Sequence, residues 1–131
     1  MSFQWHRYLE FAESVLSHVA EFPDSEAAYR SVASRAYYAA YCATRNLVKQ
    51  RDRQEFHGNA HQQLQDYLLP HAHRPRKRLG NRLRQLYQLR LLADYEDTLH
   101  QPAIYLAQQA IKQAQLIEAN LADIERKTSP S

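Results

Sequence analysis

Residues 25–50 read SEAAYRSVASRAYYAAYCATRNLVKQ, and this stretch decides the fold. Tyr29, Ala33, Ala36, Ala40, Ala43 and Leu47 follow one another in alternating steps of four and three, the period of a single helix face. Tyr37, Tyr41, Thr44 and Val48 flank that stripe. Small residues along a stripe let another backbone come close, while tyrosines fill the space beside it and keep a polar tip. The segment therefore reads as the central helix of a bundle. Two glycines in 131 residues disfavour a turn-rich all-β fold.

Working outward, Trp5, Tyr8, Ala12, Val15 and Val19 give a first helix with one apolar face. Pro23-Asp24-Ser25-Glu26 stops it, with Asp24 or Ser25 as N-cap of the next. Residues 51–58 read as a connection. Asn59 then caps a short helix to about residue 69, with Gln62 at the capping-box position. Pro70 and Pro75 bracket a loop over residues 71–74. A fourth helix carries Leu79, Leu83, Leu86, Tyr87 and Arg90 and runs to about residue 98. Pro102 suits the first position of a last helix, which places Ala103, Ala107, Ala110, Ala114, Ile117, Leu121 and Ile124 at 4-3 spacing. The expectation is an all-α antiparallel bundle of about five helices. It forms one domain over residues 1–127, and residues 128–131 are expected to be a disordered tail.

The apolar fraction of 44% and charged fraction of 24% are ordinary for a soluble globular chain. Cys42 is the single cysteine, which excludes an intramolecular disulfide and suits a reducing compartment. The first seven residues hold no secretory hydrophobic core, and no run of about 18 apolar residues occurs. A cytoplasmic protein with no membrane partner is expected.

Net charge is only +3, so any basic surface must be local. From Tyr67 to Ala93 there is no Asp or Glu, but there are seven Lys/Arg and two His. A basic strip is the footprint of phosphate neutralisation, and Arg74, Arg76, Lys77, Arg78, Arg82 and Arg84 are the candidate contacts. The same residues also fit a solvated loop and one face of a surface helix. Further along, Leu79, Leu83, Leu86, Tyr87, Arg90, Asp94 and Asp97 share a helix face, so its apolar stripe turns charged halfway. An Arg on such a stripe must be paired, line a cleft or meet another subunit. Asp94, one turn on, is the evident partner. A structural pair and an anion-binding or catalytic Arg90 both remain open.

His57 and His61 are four apart and His71 and His73 two apart, but Gly58-Asn59 interrupts the first pair. Without HExxH or a cysteine framework, structural histidines outweigh a metal site, and no cofactor is expected. There is also no Gly-rich phosphate loop and no GxSxG.

Three pieces of this sequence together resemble the HEPN superfamily. They are residues 29–41, YRSVASRAYYAAY; Phe56-His57-Gly58 before a short helix; and residues 86–95, LYQLRLLADY. The resemblance covers residues 25–98 approximately and is to the Arg-x-x-Ala-Asp-Tyr form, related to the helical partners or toxins of minimal nucleotidyltransferase modules. It implies an all-α bundle, commonly a homodimer. Many HEPN members are metal-independent ribonucleases of toxin–antitoxin, defence or CRISPR-linked systems, built on an Arg-x(4–6)-His motif.

Arg90 aligns with the motif Arg, but Tyr95 stands where His would fall. An imidazole titrates near pH 6.5, whereas a phenol near 10 would need about 4 kcal/mol of tuning to serve as a base. On a continuous helix Tyr95 would also point about 140° away from Arg90. What the resemblance implies is an RNA-acting domain in which Arg90 stabilises charge and Asp94 and Tyr95 orient the site. His57 or His61 would supply an acid/base from another helix. The RNA would be a tRNA or mRNA held by the basic strip, with its ribose 2′-hydroxyl as nucleophile. The alternatives are a non-catalytic nucleotide- or RNA-binding module that partners a separately encoded minimal nucleotidyltransferase, and a purely structural helical subunit.

Overall fold

A computed structural model describes residues 2–128. Its helices are α1 (His6–Ser17), α2 (Ser25–Asp52), α3 (Ala60–Leu68), α4 (Arg74–Tyr95) and α5 (Ala103–Thr128), with a 3-10 turn at Val19–Glu21 after α1. The fold is an all-α bundle, as the periodicity predicts. Of the expected tail, Thr128 closes α5 and residues 129–131 lie outside the described residues.

The central helix is α2, which packs on α1, α4 and α5, while α3 packs on α4. Ala33, Ala36 and Ala40 on α2 and Ala107, Ala110 and Ala114 on α5 are all fully buried. Missing side-chain bulk on both helices lets them share the most extensive contact in the bundle. Leu79, Leu83 and Leu86 of α4 and Leu64 and Leu68 of α3 fill the rest of the core from the other side.

Asp24 begins α2 by accepting a hydrogen bond from the Ala27 amide at 3.0 Å, which satisfies one of the free N–H groups of the first turn. By contrast, the Asn59 side chain makes no cap bond to α3, and Gln62 instead donates to Asp66 at 2.9 Å. Helix α2 continues to Asp52, two residues past the expected end, and leaves through Arg53 in the left-handed region at φ 58°. Helix α4 stops at Tyr95, so Asp97 does not join its charged face. Helix α5 starts one residue after Pro102.

Gly80 marks a close crossing. A Cβ there would lie 2.9 Å from Leu68 Cβ and 3.0 Å from the Leu69 amide nitrogen. A glycine inside a helix costs about 1 kcal/mol relative to alanine, and here it lets α4 pass against the end of α3. Among the described residues no helix is long and apolar enough to cross a membrane.

Candidate functional site at the α2–α4 crossing

Helices α2 and α4 run antiparallel, and the register of their side-chain contacts follows from that. Ser34 meets Asp94, Tyr38 meets Arg90, and Tyr37 meets Tyr87. Tyr37 and Tyr38 lie three and four residues past Ser34, and Tyr87, Arg90 and Asp94 step by three and four, so each helix presents one polar edge of its buried face here.

Arg90 is the hub. Its Nε donates to Asp94 Oδ2 at 2.9 Å and its Nη2 donates to the Tyr38 hydroxyl at 2.9 Å. Its guanidinium lies over the rings of Tyr38 at 5.3 Å, Tyr95 at 5.4 Å and Tyr37 at 5.8 Å. Burial works against its charge, but Tyr38, Asp94 and Tyr95 outweigh that and hold the group firmly protonated. Asp94 also accepts from Ser34 Oγ at 3.3 Å. Nη1 has no hydrogen-bond partner among the described residues, so one edge of a fixed guanidinium stays open.

Tyr95 departs from the wheel expectation. The helix ends at this residue, and the Arg90 guanidinium reaches its ring although the two side chains leave the helix on different faces. The ring itself is exposed.

His61 arrives from α3. It stacks on Tyr41 at 4.2 Å and on Tyr87 at 5.9 Å, and its Nδ1 sits 2.5 Å from the Tyr37 hydroxyl. Burial pushes the Tyr37 hydroxyl far above its usual value. That buried O–H has no other acceptor among the described residues, so it donates to Nδ1 and leaves the imidazole proton on Nε2. Burial, and then the charge of Arg90, lower the His61 pKa. A neutral imidazole and a permanent cation therefore share one aromatic nest. His57 is not part of it: it is exposed and lines a separate groove with Tyr41, Arg45, Lys49 and Phe56.

The six candidate phosphate contacts divide. Arg76 is buried and forms a two-pronged pair with Asp52, at 2.5 and 2.7 Å, while its Nη1 meets His73 Nδ1 at 2.8 Å. Tyr67 adds a hydrogen bond to Asp52 at 2.8 Å. Against expectation, Arg76 is thus a clasp between α2 and α4 that shows little of itself to solvent. Arg82 is half-buried and donates to Asn120 of α5. Arg74, Lys77, Arg78 and Arg84 do face solvent. At 100° per residue the four solvent-facing cations lie about 120–160° around the helix from Arg90, so the strip and the Arg90 nest face different ways even where Arg84 comes within six residues of Arg90.

Ser34, Tyr37 and Tyr38 escaped the sequence reading as site residues. Tyr37 showed a signal as a polar-tipped tyrosine beside the alanine stripe, but only the antiparallel register selects which side chains of α2 meet Arg90. Arg30 is a further such residue. Its Nη1 donates to the carbonyls of Glu96 at 2.7 Å, Ala93 at 3.1 Å and Leu92 at 3.5 Å. A cation there satisfies the end of α4 and complements its dipole, fixing the segment that carries Asp94 and Tyr95.

Compared with protein-family models, curated proteins and solved structures, the chain matches none of them. The chemistry is therefore argued from the nest itself. It offers a fixed guanidinium edge, a phenol, a carboxylate and a neutral imidazole, a set suited to engaging a phosphate diester. Among the described residues no group of three or more His, Cys, Asp or Glu could hold a metal ion.

Proposed function

We propose that the chain is a HEPN-type domain that acts on RNA, with the Arg90 nest as the place where phosphate is engaged. The observation that carries this reading is the open Nη1 edge of Arg90, held in place by Asp94, Tyr38 and three aromatic rings. A guanidinium kept only to pair Asp94 needs no such cage.

In the proposed reaction the ribose 2′-oxygen attacks the adjacent phosphorus and the bond to the 5′-oxygen breaks, giving a 2′,3′-cyclic phosphate and a 5′-hydroxyl. The 2′ proton passes to a base, and the leaving oxygen gains a proton. Arg90 offsets the charge that builds on the phosphoryl oxygens. His61, neutral near pH 7, would take the 2′ proton on Nε2 in its other tautomer, in which Nδ1–H donates to the Tyr37 oxygen and Nε2 is free. Two copies are proposed to pair near this end of α4, where Leu92 (43% exposed) and Tyr95 (67% exposed) leave apolar surface uncovered. Sedimentation showing a monomer at tens of micromolar would remove the dimer.

A second reading is favoured by Asp94, which already balances the Arg90 charge. In it the nest binds RNA or a nucleotide without cleaving, as a module that partners a minimal nucleotidyltransferase. Incubation with tRNA and single-stranded RNA in EDTA separates the two. Cleavage that is lost in Arg90→Ala and with a 2′-deoxy substrate supports the ribonuclease. Binding without cleavage supports the module, and neither binding nor cleavage removes both.

A further inference from the structure

The arginines of α2 sit in an arrangement that the α4 strip lacks. Arg35 lies over Tyr8 at 5.1 Å and over Tyr38 at 5.5 Å. Arg45 lies over Trp5 at 5.8 Å and over Tyr41 at 5.9 Å. Each guanidinium thus bridges a tyrosine of α2 and a ring on α1 or at its N-cap, and Arg90 meets Tyr38 as well. No carboxylate pairs with either one among the described residues. Arg35 makes no hydrogen bond there, and Arg45 bonds only the neutral Asn46 side chain, at 3.1 and 3.2 Å. The exposed cations of α4, by contrast, have no ring contact among the described residues.

We infer that a single strand of RNA runs along the seam between α1 and α2, with Arg35 and Arg45 holding its phosphates on either side of Arg90. This rests on the RNA reading above and assigns the track to a different face from the α4 strip. Ten residues separate the two arginines, about 15 Å along α2, a length that an extended strand spans in a few nucleotides. Arginines seated over aromatic rings are held in place before binding, so their N–H groups meet phosphate oxygens with little further ordering. Guanidinium planes and aromatic rings are also what unpaired bases stack on, whereas a duplex keeps its base faces covered. A lysine-rich solvated face would offer the charge without the planes.

The test uses the full chain and a labelled single-stranded oligoribonucleotide, with binding followed by anisotropy across a salt series. Losing two phosphate contacts should flatten the log–log salt slope by about 1.4. We expect that flattening, and at least a roughly tenfold loss of affinity, in the double variant R35Q/R45Q. The slope should return in R35K/R45K and stay at the wild-type value in K77Q/R78Q. Wild-type binding with an unchanged slope in folded R35Q/R45Q would overturn the seam and leave the RNA reading standing. Equal affinity for a duplex of matched charge would overturn the single-strand track. A wild-type chain that binds no RNA at low salt would remove the RNA reading, and the seam with it.

Discussion

The Tyr38 hydroxyl accepts a hydrogen bond from Arg90 at 2.9 Å while the Tyr38 ring meets two guanidiniums, that of Arg90 at 5.3 Å and that of Arg35 at 5.5 Å. One side chain of α2 therefore fixes an arginine of α4 both through its edge and through its face. The side chain of Arg90 is only 12% exposed and that of Asp94 is 27% exposed, so the pair is neither a surface ornament nor a sealed core pair.

That intermediate position sets the expected result for Arg90→Ala. Breaking a sealed pair costs about 3–5 kcal/mol, but Asp94 keeps Ser34 and some solvent, so a loss of about 1–2 kcal/mol is expected. RNA affinity or cleavage should fall further than this accounts for. Arg90→Lys keeps the charge without the planar fork and should still lose function. Thermal melts beside RNA assays check this, and a large stability loss with RNA affinity intact in the folded fraction would make Arg90 structural.

The lowered pKa of His61 gives a pH signature. The unfolded chain takes up this proton near 6.5, before the folded one does. Stability tied to it is therefore full above about pH 6.5 and is lost as pH falls toward the folded value. His61→Gln should flatten that acid limb in part, because His73, also lowered by burial and by Arg76, titrates in the same direction. Arg90→Gln should move the His61 titration back toward its ordinary range, read by NMR of the ring protons. No movement would separate the two residues electrostatically.

The Asp52–Arg76 clasp should behave as structure alone. The side chains are 12% and 9% exposed, and Asp52→Asn should cost about 3–5 kcal/mol. Burial opposes the Asp52 charge, but the hydrogen bonds from Arg76 and Tyr67 prevail and hold its carboxyl below the ordinary value of 3.8. Its contribution is present above that value and disappears as pH falls through the folded one. RNA affinity of the folded fraction should not change. Loss of affinity beyond the unfolded share would return Arg76 to the RNA surface.

Gly80→Ala should destabilise although alanine is the better helix former. The added methyl meets Leu68 Cβ and backbone at about 3 Å, and overpacking of this kind costs about 1–3 kcal/mol against a propensity gain of about 1 kcal/mol. Chemical denaturation measures the balance, and a gain in stability would mean that α3 can move away from α4.

The bundle was legible because its evidence is local. The stripes of α2 and α5 and the Asp24 cap can each be read within a turn or two of helix. What depends on distant partners was not legible. Arg76 looked like its exposed neighbours Lys77 and Arg78 because nothing in the strip indicates that Asp52 lies opposite it. The two extra residues at the end of α2 that bring Asp52 there carry no strong stop signal. The nest was half legible: the Arg90–Asp94 spacing is intrahelical, while Tyr38 and His61 join it only through packing between helices.

Trp5 is the chain's single tryptophan, and it stands beside Arg45 at one end of the α1–α2 seam. The protein therefore carries its own optical reporter. Selective excitation of the indole should register a ligand seated on Arg45 and remain silent to one held on the exposed arginines of α4, so occupancy of the two faces can be told apart without any label.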